Sequence, residues 1–394
     1  MIHSSKNILA INAGSSSIKF GIYTNEPEPV CILTGKIERI GLADSVLSCT
    51  ENGVNHSRIP VSAATMHASA NSLVNWLQRR NDFSNVVAIG QRIVFGMEKT
   101  ATQKITMLLT DHLKSISIDD PDHIPGELEL INAFQQKLPQ MNQVACFDTL
   151  FHAGMPKLAT LLPIPRTLYE QGIRKYGFHG LSFSFILEKL KRIGEPAVVK
   201  GRIIIAHLGN GASLAAVKDG SSVDTSMGFT PTGGLMMGTR SGDLDPGTTA
   251  AIMQKMSMSA NEFNDFVNHD CGLLGISQTS SDMQQLLKNE TTDIRAAEAV
   301  NLFCYNVKKW IGSFTAVLEG LDVLVFTGGI GENAAEVRWR ICSGLSFLGI
   351  ELDKKMNELG SGIVSTKNSR IVVYVIATNE ELMIAKMVNR VLST

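Results

Sequence analysis

Residues 202–226 read RIIIAHLGNGASLAAVKDGSSVDTS, and how this stretch is parsed decides the fold. An apolar run from Arg202 ends at His207 and gives way to a turn at 208–212. A second apolar run follows, then another turn at 218–222; both turns are rich in Gly, Asn and Ser. The plan is strand, small polar turn, strand, turn, strand. The chain opens on the same plan, with extended segments at 8–12, 18–23 and 30–38. Between the first two lies Asn12-Ala13-Gly14-Ser15-Ser16-Ser17, and Asn25-Glu26-Pro27-Glu28-Pro29 breaks the chain before the third. Residue by residue the two meanders are only weakly alike. Their shared order predicts two halves built on one template, each a mixed sheet flanked by helices.

The remaining periodicity fits an α/β nucleotide-binding fold. Helical spacing appears around 65–80, followed by an apolar run at 86–89. A long helix is expected over 292–319, with Ala299, Phe303, Val307, Ile311, Phe314 and Leu318 on one face. A strand at 322–327 runs into TGGIGEN, and another at 371–377 runs into TNEELMIAKMVNRVL. A chain of 394 residues most simply forms two domains, with the boundary placed near residue 150.

Composition excludes several function classes. Apolar residues make up 44% and charged residues 19%, and the formal net charge of -1 gives no basic excess to attract a polyanion, so nucleic acid is not an expected partner. No basic leader precedes an apolar stretch and no apolar run approaches a membrane span, so a soluble, cytoplasmic protein with no membrane partner is expected. The six cysteines are scattered without paired spacing, as expected of reduced, mostly buried thiols.

Three glycine-rich turns could handle phosphate. Small residues let the main chain approach a ligand, and successive N–H groups in such turns favour anions. Asn12, Ser15 and Ser17 add side-chain donors to the first turn, and Gly209, Asn210 and Gly211 repeat the device in the second. Each alone reads more simply as a tight hairpin. The third turn, VFTGGIGEN at 325–333, lacks the Lys-Ser/Thr pair of a P-loop and the spacing of a dinucleotide site. It reads as close approach to a base or ribose, or as a plain strand-to-helix turn.

Charged groups in apolar or glycine-rich surroundings are more telling. Asp148 lies between Phe147 and Phe151 and needs a cation or donors. Arg240 sits among small residues in MGTRSGDLDPG, and Arg92 occupies a strand edge in GQRIVFG; both forks suit phosphate. His179 in YGFHG and His207 at a strand end complete the set. Any one of these is an ordinary ion pair or core histidine; together, beside phosphate-type turns, they indicate phosphoryl transfer. In TNEEL the spacing Thr378-x-x-Glu381 predicts a capping box, which leaves Glu380 as the freer carboxylate for Mg²⁺.

The segments INAGSSSIKF, VACFDTLFHAGMP, YGFHG, IIAHLGNGASLAAVKDG, SVDTSMGFTPTGGLMMGTRSGDLDPG, GLLGISQTSSDM, FTGGIGEN and TNEELMIAK together resemble the acetate/propionate kinase family, and they span almost the whole chain. The resemblance implies an α/β fold of two actin-like (ribonuclease H-like) domains around an interdomain cleft. One domain would comprise 1–149 with the C-terminal helix 381–394, the other 150–380. It implies transfer of the ATP γ-phosphoryl group to a short-chain acid, with Mg²⁺ or alternatively Mn²⁺, in a homodimer. Asn12, Ser15, Ser17 and Lys19 would line the phosphate end. His207, Gly209, Asn210 and Gly211 would contact the nucleotide phosphates. Asp282, Met283, Gln284, Gly329, Ile330, Gly331 and Asn333 would border the adenosine. Arg92 and Arg240 would bind the carboxylate and the phosphoryl group, with His123 and His179 donating to its oxygens. Asp148 would serve the metal and the acid, with Asn12 and Glu380 as further metal ligands. Val94, Phe178 and Pro231 would form the acyl pocket with Asp122.

Departures from the family pattern cluster at the acyl end. Val-Val-His-Gly-Gly after the first arginine is here Ile93-Val94-Phe95-Gly96-Met97. Leu-His-Asn-Pro-x-Asn-Leu is here Asp122-His123-Ile124-Pro125-Gly126-Glu127-Leu128. Leu181 and Phe183 replace a Thr and a His, and Gln284 stands where an Arg is usual. Asp122 beside an anionic substrate raises the cost of binding it unless protonated or paired. Acetate with a raised KM, another acid such as propionate or one carrying a donor for Asp122, or a nucleotide-binding scaffold with a decayed acyl site all remain open at this level. The intact phosphate-handling groups favour an active kinase. A sugar kinase of the same fold would not require both arginines.

Overall fold

The structure is a computed structural model and describes residues 6–14, 17–42, 44–51, 53–193 and 200–393. Ser15, expected at the phosphate end, lies outside the described residues. The chain divides into two compact units, Met1–Leu150 with Asn379–Thr394, and Phe151–Thr378.

In the first unit the strands are β1 (Asn7–Ala13), β2 (Ser17–Thr24), β3 (Cys31–Glu38), β4 (Val46–Glu51), β5 (Val54–Pro60), β6 (Val86–Ile93), β7 (Gln103–Lys104) and β8 (Asn142–Phe147). They form one sheet in the order β5-β4-β3-β2-β1-β6-β8-β7. The meander β1-β2-β3 is antiparallel, whereas β6 runs parallel to β1 and β8 parallel to β6. In the second unit β9 (Arg202–Leu208), β10 (Ala212–Lys218), β11 (Ser221–Thr225), β12 (Val323–Thr327), β13 (Gly362–Ile363) and β14 (Val372–Val375) are ordered β11-β10-β9-β12-β14-β13. Again the meander is antiparallel, and β12 and β14 continue it in parallel. The two sheets therefore repeat one order of strands, as the two similar meanders predicted.

Burial explains which segments became strands. All of β1 and all of β12 are buried, as befits parallel neighbours covered on both faces. Leu9, Ile11, Phe20 and Ile22 pack with Leu73 and Leu77 of the helix Met66–Gln78 and with Phe134 of the helix Ile124–Lys137. In the second unit Ile203, Ile205, Val217, Val323 and Val325 pack under Phe183, Ile186 and Leu190 of the helix Gly180–Ile193. Each such aliphatic or aromatic side chain contributes about 1.5–3 kcal/mol of burial. The long helix runs Ile294–Val317, and all six residues of its expected apolar face are buried.

The last helix, Glu380–Leu392, belongs to the first unit and packs on β1, β2, β6 and β8 with Met383, Ile384 and Val388 buried. All six cysteines are free thiols. Among the described residues no helix is long and apolar enough to cross a membrane.

Candidate active site

In the first unit the chemistry gathers where β1, β6 and β8 end. Arg92 sits at the C-terminal edge of its strand, as its flanking sequence suggested, and β6 is an interior strand of the sheet. Asp148 directly follows β8, and its N–H donates to the Ile93 carbonyl at 2.8 Å. The carboxylate is fully buried, and Arg92 Nε and Nη2 donate to its Oδ2 at 3.2 and 2.7 Å. That pairing supplies the cation its apolar neighbours demanded. Burial alone would lower the Arg92 pKa, but the charges of Asp148 and Glu380 outweigh it and hold the guanidinium above its ordinary range.

Arg92 Nη1 also donates to Asn12 Oδ1 at 3.1 Å and to the Ala13 carbonyl at 3.3 Å. The same Asn12 amide donates through Nδ2 to Glu380 Oε2 at 2.8 Å and Glu381 Oε1 at 2.9 Å. One side chain thus ties the guanidinium to two carboxylates, and this network fixes which way the amide faces. The predicted capping box is absent. The helix is capped by Asn379, whose side chain accepts from the Leu382 N–H, while the Thr378 N–H goes to Glu332 Oε1 at 3.1 Å. Glu381 is therefore not drawn back to the helix start, and Glu380 and Glu381 are held alike.

His123 is the N-cap residue of the helix Ile124–Lys137, and its Nδ1 lies 2.7 Å from Oδ1 of the buried Asp120. One turn on, Glu127 Oε1 accepts from the Val94 N–H at 2.8 Å. Its Oε2 is buried with no partner among the described residues. Burial, and then the neighbouring Asp120 charge, pushes the Glu127 carboxyl up to about 8. A cavity of about 300 Å³ opens here, lined by Ala13, Gly14, Thr65, Met66, Asp122, His123, Gly126, Glu127 and Glu129. Lys19, expected at the phosphate end, instead lines a separate cavity with Lys36, its partner across β2 and β3. Ser17 begins β2, and its carbonyl accepts from the Gly14 N–H at 2.8 Å.

The second unit carries His179, His207 and Arg240. His179 has a left-handed backbone, φ +59°, which costs a side-chain-bearing residue about 1–3 kcal/mol unless its surroundings impose it. They do. His152 Nε2 lies 3.1 Å from the Phe178 carbonyl, which can only accept, so Nε2 carries the proton and Nδ1 accepts from the Ser222 hydroxyl at 2.8 Å. Gly177 (φ +78°) passes so close that a Cβ would fall 2.4 Å from Thr225 Cγ2 and 2.7 Å from His152 Cδ2.

So positioned, the His179 ring stacks on His207 with centroids 4.3 Å apart, and its Nδ1 lies 2.8 Å from Ser213 Oγ. His207 Nδ1 meets Ser182 Oγ at 2.8 Å, and that hydroxyl donates to Thr378 Oγ1 at 2.9 Å, so His207 Nδ1 is the donor. A Cβ on Gly211 would lie 3.2 Å from His179 Nε2 and 3.9 Å from Arg240 Nη1, which puts the turn, the imidazole and the guanidinium around one small space. Arg240 Nη1 donates to the carbonyl of the buried Pro231 at 3.3 Å. Phe178 is buried as well.

Next to this lies a cavity of about 550 Å³ lined by Gly209, Asn210, Asp282, Met283, Gln284, Leu287, Gly329, Ile330, Asn333 and Ala334. Eight of these are residues expected at the nucleotide. Gly331 is not among the lining residues; it is buried, and its carbonyl accepts from Arg338 Nη1 at 2.8 Å. Asp282 caps the helix Met283–Asn289 by accepting from the Gln284 N–H.

The sequence reading missed the residues behind the front row: Asp120, His152, Ser182, Ser213, Glu332 and Arg338. Of these His152, Ser213 and Glu332 stood inside quoted motifs without being singled out, and the others carry no local signal, because a hydrogen-bond partner is recognisable only once the chain has folded.

Charge-neutralising groups grouped around backbone turns, beside a cavity large enough for a nucleotide, define a phosphotransferase. The chain matches the Acetokinase family over residues 7–386, and it belongs to that family. An acetate kinase from Rhodopseudomonas palustris is 39% identical over 390 residues, covering 97% of this chain and 98% of its own. The crystal structure of acetate kinase from Porphyromonas gingivalis superposes with a TM-score of 0.86 at 34% identity, covering 98% of this chain and 100% of that one. A propionate kinase from Francisella tularensis subsp. tularensis gives 0.89 at 37%, covering 97% and 98%. The enzyme is accordingly an ATP-dependent carboxylate kinase, transferring the γ-phosphoryl group to a short-chain acid and back.

Proposed function

We propose that acetate is the basic substrate, and that Arg92 in the first unit and Arg240 in the second are the groups that bind and neutralise it and the migrating phosphoryl group. One carboxylate oxygen forms the new P–O bond as the bond between the γ-phosphorus and the bridging oxygen breaks. ADP leaves with the electron pair, and no proton moves. Little covalent chemistry is asked of the protein, so positioning and charge supply the rate. His179 and His123 donate to the equatorial oxygens. His207, Gly209, Asn210 and Gly211 hold the nucleotide phosphates, and Asp282, Met283, Gln284, Gly329, Ile330, Gly331 and Asn333 lie towards the adenosine. Val94, Phe178, Pro231 and Asp122 receive the acyl group.

The observation that carries this reading is the grip on Arg92. Asp148 and Asn12 fix its fork from two sides, so its position is set before substrate arrives. Asn12, Asp148 and Glu380 offer hard oxygen donors of the kind Mg²⁺ takes, and few are needed because ATP supplies the rest. They would hold Mg²⁺, or Mn²⁺ in its place, which when bound neutralises phosphate charge. A homodimer in the cytoplasm completes the reading, supported by the family and by free thiols.

The test incubates the protein with MgATP, acid and hydroxylamine and measures hydroxamate. Arg240→Ala should lose activity by about three orders of magnitude or more while ATP binding, followed by calorimetry, stays largely intact. Unchanged turnover in that variant would overturn the assignment.

A further inference from the structure

We propose that the preferred acid carries a hydrogen-bond donor, a hydroxyl or an ammonium, on its carbon tail, and that the cavity beside Asp122 and Glu127 receives it. This rests on the carboxylate-kinase reading and sharpens it to a substrate class.

The cavity lies wholly within the first unit and, at about 300 Å³, is several times larger than a methyl group requires. Its wall is polar, with Asp122, Glu127 and Glu129 all carrying carboxyl groups. Glu127 is 3% exposed; one oxygen takes the Val94 N–H and the other is left without a partner among the described residues. Oδ2 of the adjoining Asp120 is left the same way. Buried polar oxygens without a partner cost free energy until a hydrogen-bonding group meets them, and an apolar tail supplies none. A second carboxylate on the substrate would be repelled.

The cavity is also joined to the carboxylate-binding arginine. Arg92 Nη1 donates to the carbonyl of Ala13, which lines the cavity, and Glu127 holds Val94, two residues beyond Arg92. An acid gripped at Arg92 thus has hydrogen-bonding groups near its tail, with the Asp122 carboxylate as acceptor.

Sites built to hydrogen-bond a substrate group reject the analogue lacking it far more strongly than apolar pockets reject an extra methyl. The test compares kcat/KM in the hydroxamate assay for pairs of matched shape: glycolate against propionate, 3-hydroxypropionate against butyrate, β-alanine against butyrate. The expected result is a preference of about tenfold or more for the donor-bearing member of at least one pair. Asp122→Leu should erase or invert that preference. Asp122→Asn should keep it for a hydroxyl and lose it for an ammonium. Equal or better use of propionate and butyrate, or a preference that survives Asp122→Leu, overturns the proposal while leaving the kinase reading standing. Product from no acid, acetate included, overturns both. If Asp122→Leu fails to give a native circular-dichroism spectrum, the wild-type pairs alone decide.

Discussion

Asp148 and Arg92 are 56 positions apart in sequence and share a salt bridge of 2.7 Å, so each is the reason the other can be buried. Removing the cation takes the opposing charge from a carboxylate with no exposure to water. Arg92→Ala should therefore cost about 3–5 kcal/mol in urea unfolding as well as abolish turnover, whereas Arg92→Lys, which keeps charge but loses the fork, should recover part of the stability and little activity. Glu127 gives a prediction in pH. Its folded pKa of about 8 lies above the ordinary 4.5, so between those values the unfolded chain releases a proton that the folded protein keeps. Stability then falls as pH rises through that window, by up to about 1.4 kcal/mol per unit. Glu127→Gln should match the wild type in Tm near pH 5 and exceed it increasingly towards pH 8; a constant offset would contradict this. The sequence made Asp148 conspicuous because a carboxylate between aromatic rings needs a partner. It could not make Asp120 conspicuous, since nothing around that residue announces the histidine it holds.

At the scale of elements, short pieces of backbone hold the site because buried side chains fasten them. The helix Gly328–Asn333 is too short to be stable alone. Arg338, 1% exposed, fastens it by donating to the carbonyls of Gly331 and Glu332 at 2.8 and 2.9 Å, and its Nε binds Asn357 Oδ1. Arg338→Lys cannot span these acceptors, so KM for ATP should rise by about tenfold with KM for the acid unchanged. The loop 177–179 depends similarly on His152. His152→Ala should lower kcat more than it weakens ATP binding, and should cost about 2–4 kcal/mol through the cavity and the freed carbonyl. Strands, glycine turns and the long helix were legible because periodicity and turn chemistry are local. The cap of the last helix was misread by one residue, because Thr378 is drawn to Ser182 and Glu332, neighbours that sequence spacing cannot reveal.

For the molecule as a whole, the repeated strand order was legible in two meanders with hardly a residue in common. What recurs is the alternation of apolar runs and small polar turns, and that suffices to set antiparallel pairing before a parallel continuation. The first unit, however, is assembled from both sides of the second: Asn379–Thr394 joins Met1–Leu150. A chain ending at Thr378 should therefore fold residues 151–378 while the earlier sheet still waits for Ile384 and Val388 to cover β6. Chains released after Thr378 should accordingly resist protease over 151–378 and be cut within 1–150. The portion made first is the portion finished last, and Arg92, proposed above to bind the acid, rests in it.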